Sequence, residues 1–194
     1  MALLRACADS ILVGAATMVG SPRGTWRPER AYPPASGAFA ELRRRVGLSE
    51  RPLPAFVTAG ATLDPAHPAL AEGALVLTTS DAAPGLRKLV PAAAEVVAVN
   101  AGARVDLRIA LALLRERGHE LILSEGGPRV FGGLLAAGLV DELFLTVSPL
   151  LAGRAAAVRL SLVEGFELLP GGSGATLLAA RRHADHVFLR YALG

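Results

Sequence analysis

One cysteine, Cys7, leaves the chain without the means for an internal disulfide framework or a cysteine zinc cluster. That usage fits a reducing cytoplasm. Aromatic residues make up only 5% of the chain, too few for the stacking platforms that single-stranded nucleic acid needs beside a basic groove. The net charge of +3 comes mostly from arginines scattered among acidic residues. A basic pocket for an anionic small molecule accounts for it without a nucleic-acid partner. No signal-type apolar stretch opens the chain, and glycine or charge breaks each apolar run short of the roughly 20 residues that cross a bilayer. A soluble protein without a membrane partner is expected. The histidines, His67, His119, His183 and His186, share no metal-ligand spacing with carboxylates. His183 and His186 stand three apart beside Asp185, a spacing that faces opposite sides in a strand and makes a poor chelate. No metal site is expected.

What the chain does contain is apolar residues, 52% of 194, enough for the core of one α/β domain over residues 1–194. Its 21 glycines and 13 prolines punctuate the apolar runs instead of gathering in one block. Ser10–Ala16 reads as a buried parallel strand entering a ligand-facing turn, with residues 1–8 as the end of a preceding helix. Ser21–Pro34, rich in proline and arginine, reads as a loop, with Trp26 more simply an anchor to the core than a cover over a ligand ring. Ser36–Val46 reads as a helix with Phe39, Leu42 and Val46 on one face.

Alternation follows. Strands are expected at Ala55–Thr58, Leu75–Thr79, Glu95–Val99 and Glu120–Ser124, and helices at Ala83–Val90, Leu107–Arg117 and Pro128–Ala137. Asp106 is placed to cap the second of these helices at its start and Gly118 at its end. Such alternation predicts a mostly parallel sheet covered on both faces. Beyond Gly138 come strands at Glu142–Ser148, Gly165–Leu169, Ala175–Arg182 and His186–Ala192, expected to join the same sheet antiparallel.

The stretch Leu121–Gly153 carries the chemistry. Its strand delivers Ser124, Glu125, Gly126 and Gly127 to the carboxyl edge of the sheet, where open α/β sheets bind ligands. Pro128 suits the first helical position. Two glycines without Cβ atoms allow a phosphate close to the backbone, and a helix N-terminus stabilises its charge. A tight strand-to-helix turn explains Gly-Gly equally well. Glu125 shifts the balance toward a ligand site, because a carboxylate is costly to bury unless it binds something; a solvated turn residue is the less favoured alternative.

Leu121–Gly153 resembles the signature of the riboflavin-pathway reductase domain, the C-terminal half of the bifunctional deaminase-reductase and its stand-alone relatives. Leu4–Met18 is similar to that family's strand ending in a Gly-Ala-x-Thr turn. The threonine-bearing strand Leu75–Ser80 and the Phe-Leu-Arg-Tyr end at Phe188–Tyr191 agree as well. The resemblance implies a dihydrofolate-reductase-like three-layer α/β fold, with a mostly parallel central sheet, antiparallel C-terminal strands and flanking helices. It implies NADPH as cofactor and, as the reaction, reduction of the ribosyl side chain of 5-amino-6-(5-phosphoribosylamino)uracil to the ribityl product.

By the same resemblance Gly14, Ala15 and Thr17 line the nicotinamide end, Thr78, Thr79 and Ser80 bond the adenosine side, and Ser124, Gly126, Gly127 and Pro128 cradle the pyrophosphate. For Thr17 and Thr79, hydroxyls satisfied by local backbone remain an equal reading. Arg5 stands where the family has an arginine that could pair with a substrate phosphate, although a surface arginine on a helix explains it too. Arg23 and Arg27 are further substrate-binding candidates. Glu125 is the candidate catalytic residue, orienting substrate hydroxyls or assisting proton delivery.

A homodimer is implied, and the apolar segment Leu143–Leu151 suits it. The family's first strand and its Ser-Leu-Asp-Gly turn precede the position of Leu4 and have no counterpart here. Ala16 stands where relatives often have glycine. These departures leave two alternatives open, a reductase of a pterin or folate-like ring on the same fold and a non-catalytic NADPH-binding paralogue. A deaminase is excluded as an activity of this chain, which has no His-x-Glu with Pro-Cys-x-x-Cys.

Overall fold

The computed structural model describes residues 1–60, 63–151, 161–165, 167 and 172–193. They form two compact units, Met1–Val130 and Phe131–Gly194.

In the first unit, five parallel strands lie in the order β4-β3-β2-β1-β5: β1 Ser10–Gly14, β2 Leu53–Val57, β3 Leu75–Thr79, β4 Glu95–Asn100 and β5 Ile122–Ser124. Strands β1 and β3 are buried along their whole length, as continuous apolar runs in a parallel sheet covered on both faces should be. The predicted strand at Glu120–Ser124 differs. It shrinks to β5, which is only partly buried and, among the described residues, pairs with β1 at the end of the sheet order.

The helices of this unit are α1 Ala2–Cys7, α2 Ala15–Val19, α3 Pro28–Ala31, α4 Ser36–Arg45, α5 Pro68–Ala71, α6 Ala83–Leu89 and α7 Leu107–Glu116. One core cluster joins Ile11, Val13, Phe56, Val76 and Val96 from the sheet to Met18, Trp26, Leu63, Leu70 and Leu86. Asp106 caps α7 as expected, its carboxylate accepting from the backbone N–H of Arg108 and Ile109. Gly118 takes φ +85° just beyond that helix.

Two expectations need correction. Ser21–Pro34 is not all loop, since Pro28 starts the short helix α3 with its pre-set φ, and a 3₁₀ turn follows at Pro33–Ala35. On α4 the buried side chains are Phe39 and Arg43, whereas Val46 is 58% exposed. The apolar pattern favoured Val46, but the helix stops at Arg45, so Val46 leaves the helical face.

A helix α8, Pro128–Ala136, runs from the end of the first unit into the second. The second unit also holds β6 Glu142–Val147, β7 Thr176–His183 and β8 His186–Ala192, antiparallel in the order β6-β8-β7. These strands form a ladder of their own, not an extension of the parallel sheet. Alternation in sequence shows that a strand has two faces and says nothing about which neighbour it pairs with. The expected strand Gly165–Leu169 falls mostly outside the described residues. The expected fold class, a mostly parallel central sheet with helices and added antiparallel strands, is the observed one.

Candidate functional site

Strands β1 and β5 are parallel neighbours, with Leu12 opposite Ser124. The ladder continues one step further, the N–H of Glu125 donating to the carbonyl of Leu12 at 3.0 Å. The chain therefore leaves both strands at one edge, into α2 from Gly14 and into α8 from Gly127. This carboxyl edge brings together Gly14, Ala15, Thr17, Ser124, Glu125, Gly126, Gly127 and Pro128.

The glycines there do different things. A Cβ on Gly126 would stand 2.6 Å from Cβ and Cγ1 of Val130, and one on Gly14 would stand 2.9 Å from Val130 Cγ2. Both lack side chains because Val130 of α8 packs onto them. A Cβ on Gly127 would meet only the Thr17 hydroxyl, at 3.2 Å. Gly127 is thus the position whose bareness leaves room beside a polar group, at the start of a nine-residue helix. The Ser124 hydroxyl accepts from the N–H of Gly126 at 3.4 Å and shapes the turn.

Glu125 has a partner that the sequence did not reveal. Arg5, on α1, grips it in bidentate fashion, Nε to Oε1 and Nη2 to Oε2, both at 2.6 Å. Side-chain exposures of 17% and 13% make this a largely desolvated pair, whose bidentate geometry offsets the cost of taking both charges out of water. The carboxylate at the edge does bind something, as its burial cost required, and that something is the arginine expected to hold a phosphate. Arg5 also donates from Nη1 to the Arg27 carbonyl at 3.5 Å. Arg5 is thus the partner of Glu125 at this edge.

The remaining candidates are placed less directly. Arg27 forms ion pairs with Glu72 at 2.6 Å and Glu29 at 3.6 Å, which ties down the end of the loop. Arg23 is exposed and makes no ion pair among the described residues. Thr78 and Thr79, the last two residues of β3, are buried, at 0% and 2% exposure. Ser80, which follows them, is exposed. Among the described residues no group of His, Cys, Asp and Glu could hold a metal ion.

Trp26 does anchor its loop. It is 4% exposed, lies edge-on to Phe56 at 5.2 Å and stacks on His67 at 5.8 Å. His67, unassigned from sequence, accepts at Nδ1 from the N–H of Ala69, and its Nε2 lies 3.0 Å from the Ser21 carbonyl. With Nδ1 accepting, Nε2 carries the proton and donates to Ser21. The backbone of Trp26 adopts φ +52°, unusual for a bulky residue.

An open parallel sheet with a glycine turn and a helix N-terminus at its carboxyl edge defines a class of α/β proteins that hold phosphorylated small molecules. Within it, the chain belongs to the RibD C-terminal domain family, whose model matches residues 1–177. Solved structures with the same fold include a pyrimidine reductase-like protein from Corynebacterium diphtheriae, at 22% identity and TM-score 0.71, over 100% of this chain and 79% of that one. A riboflavin biosynthesis reductase from Saccharomyces cerevisiae aligns at 16% identity and TM-score 0.67, over 100% and 78%. A diaminohydroxyphosphoribosylaminopyrimidine deaminase/5-amino-6-(5-phosphoribosylamino)uracil reductase from Thermotoga maritima aligns at 18% and 0.69 over the whole of this chain, which spans 47% of that longer protein. No curated protein sequence matches the chain.

Proposed function

We propose that the chain is an NADPH-dependent reductase of the riboflavin-pathway type, acting on the ribosyl side chain of 5-amino-6-(5-phosphoribosylamino)uracil. Membership of the RibD C-terminal domain family supports the reaction class. The observation that carries the reading is the bare Gly127, open beside the Thr17 hydroxyl at the start of α8. A pyrophosphate fits there, since a Cβ would fill the space and the first turn of a helix offers N–H groups and positive partial charge. When bound, NADPH supplies the hydride.

The protein's own residues bind and orient. Gly127, Pro128 and Thr17 take the pyrophosphate, while Gly14, onto which Val130 packs, keeps the start of α8 close to the end of β1. Ser80, Arg23 and Arg27 are the outlying candidates for polar ends of cofactor and substrate. Glu125, with both oxygens on Arg5, acts by fixing this turn and not as a free acid. One observation favours a second reading, binding without turnover: no uncommitted carboxylate is found among the residues brought to this edge.

The family match runs across both compact units, which supports reading them as one domain. Cys7 as sole cysteine supports a cytoplasmic setting. Among the described residues no helix is long and apolar enough to cross a membrane. Exposed Phe144, Val147, Leu150 and Phe188 on and beside the second unit's sheet support a homodimer.

Calorimetric titration with NADPH and NADH tests the reading, alongside Gly127→Asp, whose charge and bulk oppose a pyrophosphate. NADPH binding by the wild type that is lost in the variant supports the reading; no binding by the wild type rejects it. Turnover of the pyrimidine substrate separates a reductase from a binder.

A further inference from the structure

Three consecutive arginines end α4, and they divide. Arg44 and Arg45 turn back to Glu41 at the surface. Arg43 turns inward and is 1% exposed, the largest fully buried side chain among the described residues. A guanidinium in that setting needs oxygens around it to offset desolvation, and burial pushes its pKa below the ordinary arginine value.

The oxygens it meets are backbone carbonyls from two segments and, from Nη2 at 3.4 Å, the Ser49 hydroxyl. Nη1 donates to Ala8 at 2.8 Å, Ala6 at 3.0 Å and, more weakly, Arg5 at 3.4 Å, while Nε donates to Ser49 at 2.7 Å. The first three lie at and just beyond the end of α1, where a helix runs out of N–H partners for its last carbonyls; that of Arg5 also accepts from the Ala8 N–H at 3.3 Å. A rigid planar fork on these atoms fixes the path of the chain from α1 into β1, which a flexible ammonium would not do as well.

Arg5 sits in that gripped segment, and its side chain makes the bidentate bond to Glu125, immediately before Gly126 and Gly127. We propose that Arg43 is a positioning residue for the candidate site. By holding the end of α1 it sets the alignment of Arg5 with Glu125, and through that pair the turn at Gly126 and Gly127. The consequence for NADPH rests on the reading of the site given above; the alignment of the pair does not.

The test is a double-mutant cycle of Arg5→Gln and Glu125→Gln on stability, measured by urea unfolding in the wild type and again with Arg43→Lys. Lysine keeps the charge and most of the reach but not the fork. The expected result is that the Arg5–Glu125 coupling falls to less than half with Arg43→Lys. Reduced stability with unchanged coupling overturns the proposal, because a merely structural arginine would give that outcome. Should Arg43→Lys fail to fold, Arg43→Gln repeats the cycle without an unpaired buried charge. NADPH titration of Arg43→Lys adds a second readout, with affinity expected to fall about fivefold or more. A wild type that does not bind NADPH sinks the reading of the site, while the cycle still decides the role of Arg43.

Discussion

Replacing Gly126 and Gly127 by alanine, one at a time, should separate two reasons for having glycine in one turn. A new Cβ on Gly126 would lie 2.6 Å from two carbon atoms of Val130, where about 3.5–4.0 Å is the comfortable separation. Cβ is fixed to the backbone and Val130 Cβ to its helix, so rotating a side chain cannot relieve the clash; the turn or the start of α8 must move by about 1 Å. Overpacking of this kind costs about 1–3 kcal/mol. For a chain of this length that lowers Tm by roughly 2–4 °C per kcal/mol.

A Cβ on Gly127 would meet only a hydroxyl, 3.2 Å away and able to rotate. Neither glycine has a positive φ, so alanine imposes no backbone strain at either place. Gly127→Ala should therefore leave Tm within about 2 °C of the wild type while weakening NADPH binding, because the methyl group occupies the phosphate's space. Differential scanning calorimetry and cofactor titration on the same preparations read both quantities. Equal loss of stability in the two variants, or full NADPH affinity in Gly127→Ala, would refute the division of roles.

Other outcomes follow from contacts elsewhere. Arg117 hydrogen-bonds the Glu95 carboxylate and holds its pKa below the ordinary 4.5. A lowered folded pKa means that the contribution is present above about pH 4.5 and is lost as pH falls through the folded value. The stability gap between wild type and Glu95→Gln should be small at pH 7, about 0.2–1 kcal/mol for a pair this exposed, and should close in acid; a gap that widens on acidification would be inconsistent with the pairing. Trp26→Ala should cost about 3–5 kcal/mol in urea unfolding, since it empties the space between Phe56 and His67. A loss below 1 kcal/mol would mean that the ring does not anchor the loop. Light scattering should find a dimer at micromolar concentration, and a monomer would remove the exposed apolar sheet as an argument for self-association.

Local rules made much of this protein legible in its sequence. The continuous apolar runs at Ser10–Gly14 and Leu75–Thr79 could be only buried strands, Asp106 and Gly118 bracket their helix by hydrogen bonding and by φ, and the strand, Gly-Gly and Pro order places a turn at Gly126 and Gly127. Each of these depends on residues within a few positions of one another. What the tertiary structure decided depends on partners far apart in the chain. Glu125 finds Arg5 across 120 residues, and Arg43, indistinguishable in sequence from Arg44 and Arg45, is drawn inside by carbonyls more than 30 positions away. The separate ladder of β6, β7 and β8 comes from which strand edges meet. A residue's own chemistry states what it needs; only the fold supplies the group that meets the need.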